Sequence, residues 1–137
     1  MNKEKTVLPN KQPAIRVAAM PSNTNSAGTI FGGWIMSQVD IAGSIAALAR
    51  ARGRVVTVAV NSFEFHKPVF AGDLISCYAD VIRIGRTSVT VKVEVYAQRN
   101  PGNLETVKVT EAELTFVALD ENRKSRAIPP KLDSEAI

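Results

Sequence analysis

The clearest candidate for chemistry in this sequence is an isolated carboxylate. Between Arg16 and Arg50, Asp40 is the only residue that carries a formal charge. A carboxylate in such an apolar run can serve as a general base or attack a carbonyl carbon directly, and we favour the base. The alternative is an ordinary carboxylate where a helix meets solvent. We interpret Asp40 as a partly enclosed carboxylate on a core helix.

A carbonyl group under attack also needs hydrogen-bond donors for the charge that develops on its oxygen. Gly32 and Gly33 stand where a helix is expected to begin, and the first N–H groups of a helix lack partners inside it. Paired glycines at such a position are also common packing devices. The loop that precedes them, residues 20–28, is rich in turn-forming residues.

The residues from Gly32 to about Ala51 have the apolar spacing of a helix. Apolar side chains recur every three or four residues, at Ile35, Val39, Ala42, Ala46 and Ala49. The opposite side of this helix is scarcely more polar, which predicts that the helix is buried. A bilayer is disfavoured, because Asp40 would then lie in the middle of the span.

Strand-like segments surround this helix. Residues 14–19 form one short candidate strand, and four more follow Gly53 with alternating apolar and polar positions. Phase shifts near Asn61 and Ser62, and again between Val109 and Ala112, predict two β-bulges. The order predicts an α+β fold in which one helix lies against one face of one curved antiparallel sheet.

The inventory of residue types excludes several classes of site. Cys77 is the only cysteine and His66 the only histidine among 137 residues. A disulfide within the chain, a multi-cysteine zinc site and a histidine cage are therefore excluded, and we expect no metal and no cofactor. A Ser-His-Asp hydrolase would need His66 as its base, and no Gly-x-Ser-x-Gly motif is present. We expect His66 to be a structural or surface residue.

The charge pattern favours a small phosphorylated ligand over a polymer. The net charge is +4, and the basic residues are scattered without a nucleic-acid-binding motif. Residues 1–11 are polar and lack the apolar stretch of an export signal. We therefore expect a cytoplasmic protein with no nucleic-acid or membrane partner.

Several short segments, taken together, resemble the hotdog-fold acyl-CoA thioesterases, and most closely the short single-domain bacterial YciA-type. The resemblance covers about Ile15 to Pro129. The segments are Asn25-Ser-Ala-Gly28, Ile30-Phe-Gly-Gly-Trp34-Ile-Met36, Asp40, Pro68-Val69, Gly72-Asp73 and Gly85-Arg-Thr-Ser88. The resemblance implies a curved sheet wrapped around one long central helix and the hydrolysis of acyl-CoA thioesters without a metal. We divide the chain into flexible ends, 1–13 and 130–137, and a thioesterase domain, 14–129.

The resemblance also implies roles for individual residues. Asp40 matches the catalytic carboxylate, Asn25 the loop asparagine, and Gly32 with Gly33 the helix start that faces the thioester carbonyl. The residues expected to bind the coenzyme are Gly85, Arg86, Thr87, Ser88 and Arg126. Asn23 departs from the pattern, since close relatives often have Asp there.

The resemblance implies dimers with paired sheets, and often trimers of such dimers. Helix geometry gives an independent reason for a site shared by two chains. Gly33 and Asp40 are seven residues apart, or about 10 Å along a helix axis. One thioester carbonyl cannot easily contact both, so we expect each site to combine Asn25 and the glycines of one chain with Asp40 of another.

Two other functions stay open on the sequence. A regulator that binds acyl-CoA without turnover could use the same groove, although it would not need Asp40. A hotdog dehydratase or hydratase would use His66 as its acid-base group.

Overall fold

The computed structural model describes residues 5–132, which form one helix and five strands together with two 3-10 turns. The elements are β1 (Ile15–Ala18), α1 (Gly32–Ala51), β2 (Val55–Phe65), β3 (Leu74–Ile84), β4 (Ser88–Arg99) and β5 (Glu105–Ala118), with turns at Pro21–Asn23 and Pro101–Asn103. The predicted class and order of elements are confirmed.

The strands form one antiparallel sheet in the order β1-β3-β4-β5-β2, which places β1 and β2 at its edges. Helix α1 packs on one face of this sheet. The core between them is built mainly from β-branched side chains of the central strands, which suit a half-buried pleated surface. The helix contributes Ile35, Val39, Ala42 and Ala47 to this core, all 2% exposed or less.

Both predicted bulges are present. The pairing of β2 with β5 shifts between Val60 and Ser62. Strand β4 pairs with β5 so that Val95 faces Thr110 and Tyr96 faces Lys108. Val109 therefore has no partner in β4 and is the extra residue of the second bulge. Two further shifts, after Thr57 in β2 and between residues 81 and 83 in β3, had no clear signal in the sequence.

Helix α1 lies very close to the sheet near its middle. A Cβ atom on Gly43 would be 3.0 Å from the ring of Phe116 and 3.5 Å from Val93. A methyl group here would require the ring of Phe116 to give by a few tenths of an ångström. The helix ends at Ala51, and the next residue, Arg52, caps it with a left-handed backbone (φ 51°) and an N–H that donates to the carbonyl of Leu48.

The expectation of a helix buried all round is wrong for a single chain. One sheet covers only one side of α1, so the opposite side remains uncovered. Exposed apolar residues on that side are Met36, Ile41, Ile45 and Leu48, each 44–52% exposed. On the edge strand β2, Val56, Val58 and Val60 are exposed as well. We call these seven residues the apolar surface; a second protein layer would bury it.

The expected flexible ends, 1–13 and 130–137, fall partly outside the described residues. Lys11, within the first of them, forms an ion pair with Asp80 at 2.5 Å. The domain boundaries stay a prediction. Within residues 5–132, no helix is long and apolar enough to cross a membrane.

Candidate active site

Asp40 lies on the uncovered side of α1, where its carboxylate faces strand β2. Thr57 donates a hydrogen bond from its hydroxyl to Oδ1 of Asp40 at 2.6 Å. A groove of about 270 Å³ surrounds the pair, lined by Met36, Ser37, Asp40, Thr57, Val60, Phe63 and Leu114. Asp40 is exposed in the single chain, which corrects the expectation of a partly enclosed carboxylate. Asp40 is exposed because the sheet covers only the opposite side of α1.

Sequence reasoning missed Thr57 as a functional residue. A signal was available, since Thr57 is the one hydroxyl residue in the apolar run of residues 55–60. Its hydrogen bond fixes one carboxylate oxygen and leaves the other oxygen to accept a proton. This is the arrangement that a positioned general base requires.

Asn25 organises the loop before the helix through three hydrogen bonds. Its carbonyl oxygen accepts from the N–H groups of Ala27 (2.9 Å) and Thr29 (3.2 Å), and its Nδ2 donates to the hydroxyl of Thr29 at 3.0 Å. Gly28, with φ 88°, provides the left-handed residue that this turn needs. An amide nitrogen carries two hydrogens, so Asn25 can donate to a further acceptor.

The helix start is accessible at the two glycines. A Cβ on Gly33 would meet nothing within 4 Å, whereas one on Gly32 would lie 3.3 Å from the ring of Phe65. The loop is fixed to the segment that connects β2 and β3, because Ile30 donates its N–H to the carbonyl of Val69 at 2.8 Å. An acceptor oxygen can therefore reach the free N–H groups of the first turn.

A buried ion pair supports the segment on which this loop rests. Asp73 is 2% exposed, and one of its oxygens accepts hydrogen bonds from Arg99 (2.8 Å) and from the N–H of Phe70 (2.9 Å). The guanidinium of Arg99 also lies over the ring of Phe70, 5.0 Å from its centre. Thr29 pairs with Phe70 in an isolated bridge, so the ion pair holds the loop indirectly.

A second cavity, of about 360 Å³, opens beside the helix start, and we call it the helix-start pocket. Its lining residues are Thr29, Ile30, Gly32, Ile35, Phe65, His66, Lys67, Pro68, Val69 and Thr110. None of these residues lines the groove around Asp40. One described chain thus places its candidate base, Asp40, and one candidate oxyanion donor, Gly32, in different cavities.

The five residues expected to bind the coenzyme come together at the far end of the sheet. Gly85 donates its N–H to the carbonyl of Ser88 and closes the turn between β3 and β4. Arg86, at the tip, is exposed, and its carbonyl accepts the N–H of Ile128 at 2.8 Å. Thr87 accepts from the N–H of residue 118. This pairing brings the segment of Arg126 beside the turn.

Arg126 also has a structural role, because its guanidinium links the end of α1 to the segment after β5. Its Nη2 donates to the carbonyl of Ala51 at 2.9 Å and its Nε to that of Leu119 at 3.0 Å. A cation is favourable at this position because the carbonyl groups at a helix C-terminus carry partial negative charge. Arg126 shares the lining of a cavity of about 550 Å³ with Arg52 and Arg54.

His66 lies at the end of β2 and faces two carboxylates, Glu111 at 3.4 Å and Glu64 at 3.8 Å. Lys92 and Lys108 also contact Glu111, at 3.4 and 3.0 Å. The hydrogen bond from Lys108 lowers the pKa of Glu111, although desolvation opposes the shift. Glu64, His66 and Glu111 lie close enough together to hold a metal ion. The ammonium groups of Lys92 and Lys108, however, already contact Glu111.

Comparison with known proteins gives the family and the fold of this chain. A sequence model of the thioesterase superfamily matches residues 27–102, more than half of the chain. A protein of Haemophilus influenzae, described as an uncharacterized acyl-CoA thioester hydrolase, is 49% identical over 123 residues, 88% of this chain and 80% of that protein.

Two solved structures are similar over most of the fold. A hexameric hotdog-fold thioesterase of Campylobacter jejuni has a TM-score of 0.84 and 46% identity, covering 87% of this chain and 91% of its own. An acyl-CoA hydrolase from Staphylococcus aureus, in complex with butyryl coenzyme A, has a TM-score of 0.78 and 32% identity, covering 84% and 70%. The chain belongs to the thioesterase superfamily and has its hotdog fold.

Proposed function

We propose that this chain hydrolyses acyl-CoA thioesters to a free acid and coenzyme A, with Asp40 as the general base. The observation that carries the proposal is the oriented carboxylate, held by Thr57 at 2.6 Å in an open groove. The named relatives are acyl-CoA hydrolases, which supports the same substrate class.

In the proposed reaction, Asp40 takes a proton from a water molecule whose oxygen attacks the thioester carbon. The electron pair of the C=O bond moves to the oxygen, where Asn25 and the N–H groups at Gly32 and Gly33 donate hydrogen bonds. When this intermediate collapses, the C–S bond breaks and coenzyme A leaves with a proton returned from Asp40. Direct attack by Asp40 would instead form an anhydride.

These two routes differ in the fate of the water oxygen. In a single turnover in H₂¹⁸O, hydrolysis of an anhydride at the Asp40 carbonyl would place ¹⁸O in the protein. Base catalysis places ¹⁸O only in the released acid, as does an anhydride that water opens at the acyl carbonyl. Mass spectrometry of the peptide that contains Asp40 therefore tests the anhydride route in one direction, since ¹⁸O in that peptide would contradict base catalysis.

The proposed site combines two chains. Asp40 and the helix start occupy different cavities of one chain, and the apolar surface between α1 and β2 is uncovered. A second copy related by a two-fold axis would cover this surface and bring its own Asp40 toward the first helix start. The Campylobacter relative is a hexamer, which supports a trimer of such dimers.

The turn at Gly85–Ser88 and Arg126 would bind the phosphates of coenzyme A. Arg86 is exposed at the tip of the turn, which suits a bidentate contact with a phosphate. The reaction needs no cofactor, since water and protein groups supply every step. A cytoplasmic location is supported by the unpaired Cys77.

The deciding experiment measures release of coenzyme A from a panel of acyl-CoA substrates with a thiol reagent. Cys77 will not interfere in the native protein, because burial raises its pKa to about 12. We expect Asp40→Asn to lower kcat by about 10²-fold or more while the fold is kept. A protein that binds acyl-CoA without releasing thiol would be a regulator. Loss of activity in His66→Ala with Asp40→Asn tolerated would indicate a dehydratase.

A further inference from the structure

The groove around Asp40 contains one polar side chain to which the proposed mechanism gives no role. Ser37 lines the groove together with Asp40 and Thr57, and the other lining side chains are apolar. The hydroxyl of Thr57 is committed to Oδ1 of Asp40. Ser37 is exposed, so its hydroxyl is the remaining polar side-chain group of the groove that a reactant can contact.

The hydrogen of the Ser37 hydroxyl is already used inside the helix. Oγ of Ser37 donates it to the carbonyl oxygen of Gly33, one turn earlier, at 3.1 Å. A hydroxyl group has one hydrogen and two lone pairs. With its hydrogen engaged, Ser37 accepts a hydrogen bond from a molecule in the groove. It does not stabilise a negatively charged oxygen, because that requires a donor.

Helix geometry places Ser37 and Asp40 on the same side of α1. Residues three apart on a helix are neighbours, with their Cβ atoms about 5–6 Å apart. Helical side chains lean toward the N-terminus, so the carboxylate of Asp40 extends over the turn that carries Ser37. Two oxygens that accept the two hydrogens of one water molecule, each at about 2.8 Å, are about 4.5 Å apart. The spacing of the two residues suits such a shared water.

We propose that Ser37 holds the attacking water as the second of two acceptors. The water donates one hydrogen to the free oxygen of Asp40 and the other to Oγ of Ser37, which directs a lone pair of the water away from both. When the water oxygen bonds to the thioester carbon, Asp40 takes the first hydrogen as a proton. The second hydrogen stays on that oxygen in the tetrahedral intermediate. This inference rests on the proposed thioesterase activity with Asp40 as the base.

Water is the reactant that fits an acceptor at this position. The thioester group has no hydrogen on its oxygen or its sulfur, so it has nothing to donate to Ser37. The other candidate donor is an amide N–H of the pantetheine arm of coenzyme A. Kinetics separates the two, because a contact with the coenzyme contributes to binding and changes KM, whereas a contact with the attacking water changes kcat.

The test measures kcat and KM for release of coenzyme A from butanoyl-CoA by Ser37→Ala. Ser37 is exposed, so the substitution should leave the fold intact. We expect kcat to fall by about five- to tenfold with KM nearly unchanged, because the water loses one of its two acceptors. Ser37→Thr keeps a hydroxyl that can bond to the same carbonyl, and should keep most of the rate. A higher KM at constant kcat would assign Ser37 to the coenzyme and overturn the proposal.

Ser44→Ala is the matched control. Ser44 lies on the same helix, four residues after Asp40, and its hydroxyl donates to the carbonyl of Ile41 at 2.7 Å, but it does not line the groove. Its replacement should leave kcat unchanged. A similar loss of rate in the two serine variants would indicate a general effect on the helix and would contradict the proposed role of Ser37.

A double-variant comparison separates a contact with the water from a structural role. In Asp40→Asn chains the water has no base, so its orientation contributes little to the rate. Adding Ser37→Ala to these chains should therefore cost less than about twofold. A structural role would cost the same factor with or without Asp40, so equal losses in the two backgrounds would overturn the proposal.

The same measurements separate this inference from the proposed function. If the wild type releases coenzyme A, Asp40→Asn is slow and Ser37→Ala keeps the wild-type kcat, the water is held without Ser37 and only this inference fails. No release of coenzyme A by the wild type would overturn the thioesterase itself.

Discussion

The hydroxyl of Thr57 lies 2.6 Å from Oδ1 of Asp40 and donates a hydrogen bond to it across the gap between β2 and α1. We expect Thr57→Val to lower kcat by about three- to tenfold with little change in KM, since the carboxylate loses its orientation rather than its charge. Thr57→Ser should recover most of the rate. Thr115→Val is the control, because it removes a threonine hydroxyl that donates a similar hydrogen bond from β5 to Asn61 of β2 and does not contact Asp40. Equal rates in Thr57→Val and wild type would remove Thr57 from the site.

Arg86 at the tip of the β3–β4 turn provides a second prediction. Arg86→Ala should raise KM for acyl-CoA more than it lowers kcat, because phosphate contacts are equally good in the ground state and the transition state. The control is Arg83→Ala, which removes an exposed arginine from the same hairpin that pairs with Glu113 instead. An unchanged KM in Arg86→Ala would move the phosphate site, and Arg126 and Lys124 would be tested next.

A site shared between two chains can be tested by mixing inactive variants. Asn25→Ala and Asp40→Asn chains, each nearly inactive alone, are unfolded together in equal amounts and refolded. Random pairing makes about half of the dimers mixed, and each mixed dimer regains one intact site of two. Activity should return to roughly a quarter of the wild-type value. No recovery would mean that both residues serve a site within one chain.

The Asp73–Arg99 pair predicts a large effect on stability. Asp73→Ala leaves the partly buried guanidinium of Arg99 with only the carbonyl of Pro68 and the N–H of Phe70 without an acceptor, which should lower the free energy of unfolding by about 3 kcal/mol. Asp80→Ala also breaks an ion pair, with Lys11, but at an exposed position, and should cost under about 1 kcal/mol. Urea denaturation of both variants gives the comparison. A similar small loss in each would show that the buried pair contributes little.

The elements of the fold followed from local pattern. The helix bounds, the strand order in sequence and two bulges were all visible as changes of period, because side-chain alternation is a local property. The exposed side of α1 was not visible. An apolar side chain looks the same in sequence whether its own sheet or a second molecule covers it, so the prediction of complete burial was wrong.

The candidate site was predicted in part. Asp40 stood out because it is the only charge in an apolar run. Asn25 was identified only through the resemblance to the hotdog-fold thioesterases. Thr57 did not stand out, since threonine is common in strands and only its partner atom reveals a role. Its position beside Asp40 depends on how β2 packs against α1, which cannot be read from spacing.

The close contact at Gly43 has a consequence for how this enzyme tolerates change. Asp40 and the donors at Gly32 and Gly33 are carried by one rigid helix, and Gly43 sets how far that helix stands from the sheet. A methyl group there would push against the ring of Phe116, and a shift of about half an ångström is enough to disturb a catalytic geometry. Gly43→Ala is therefore expected to give a folded protein that has lost much of its turnover. Screens for inactivating substitutions should find such positions deep under the helix, at residues that no substrate atom ever touches.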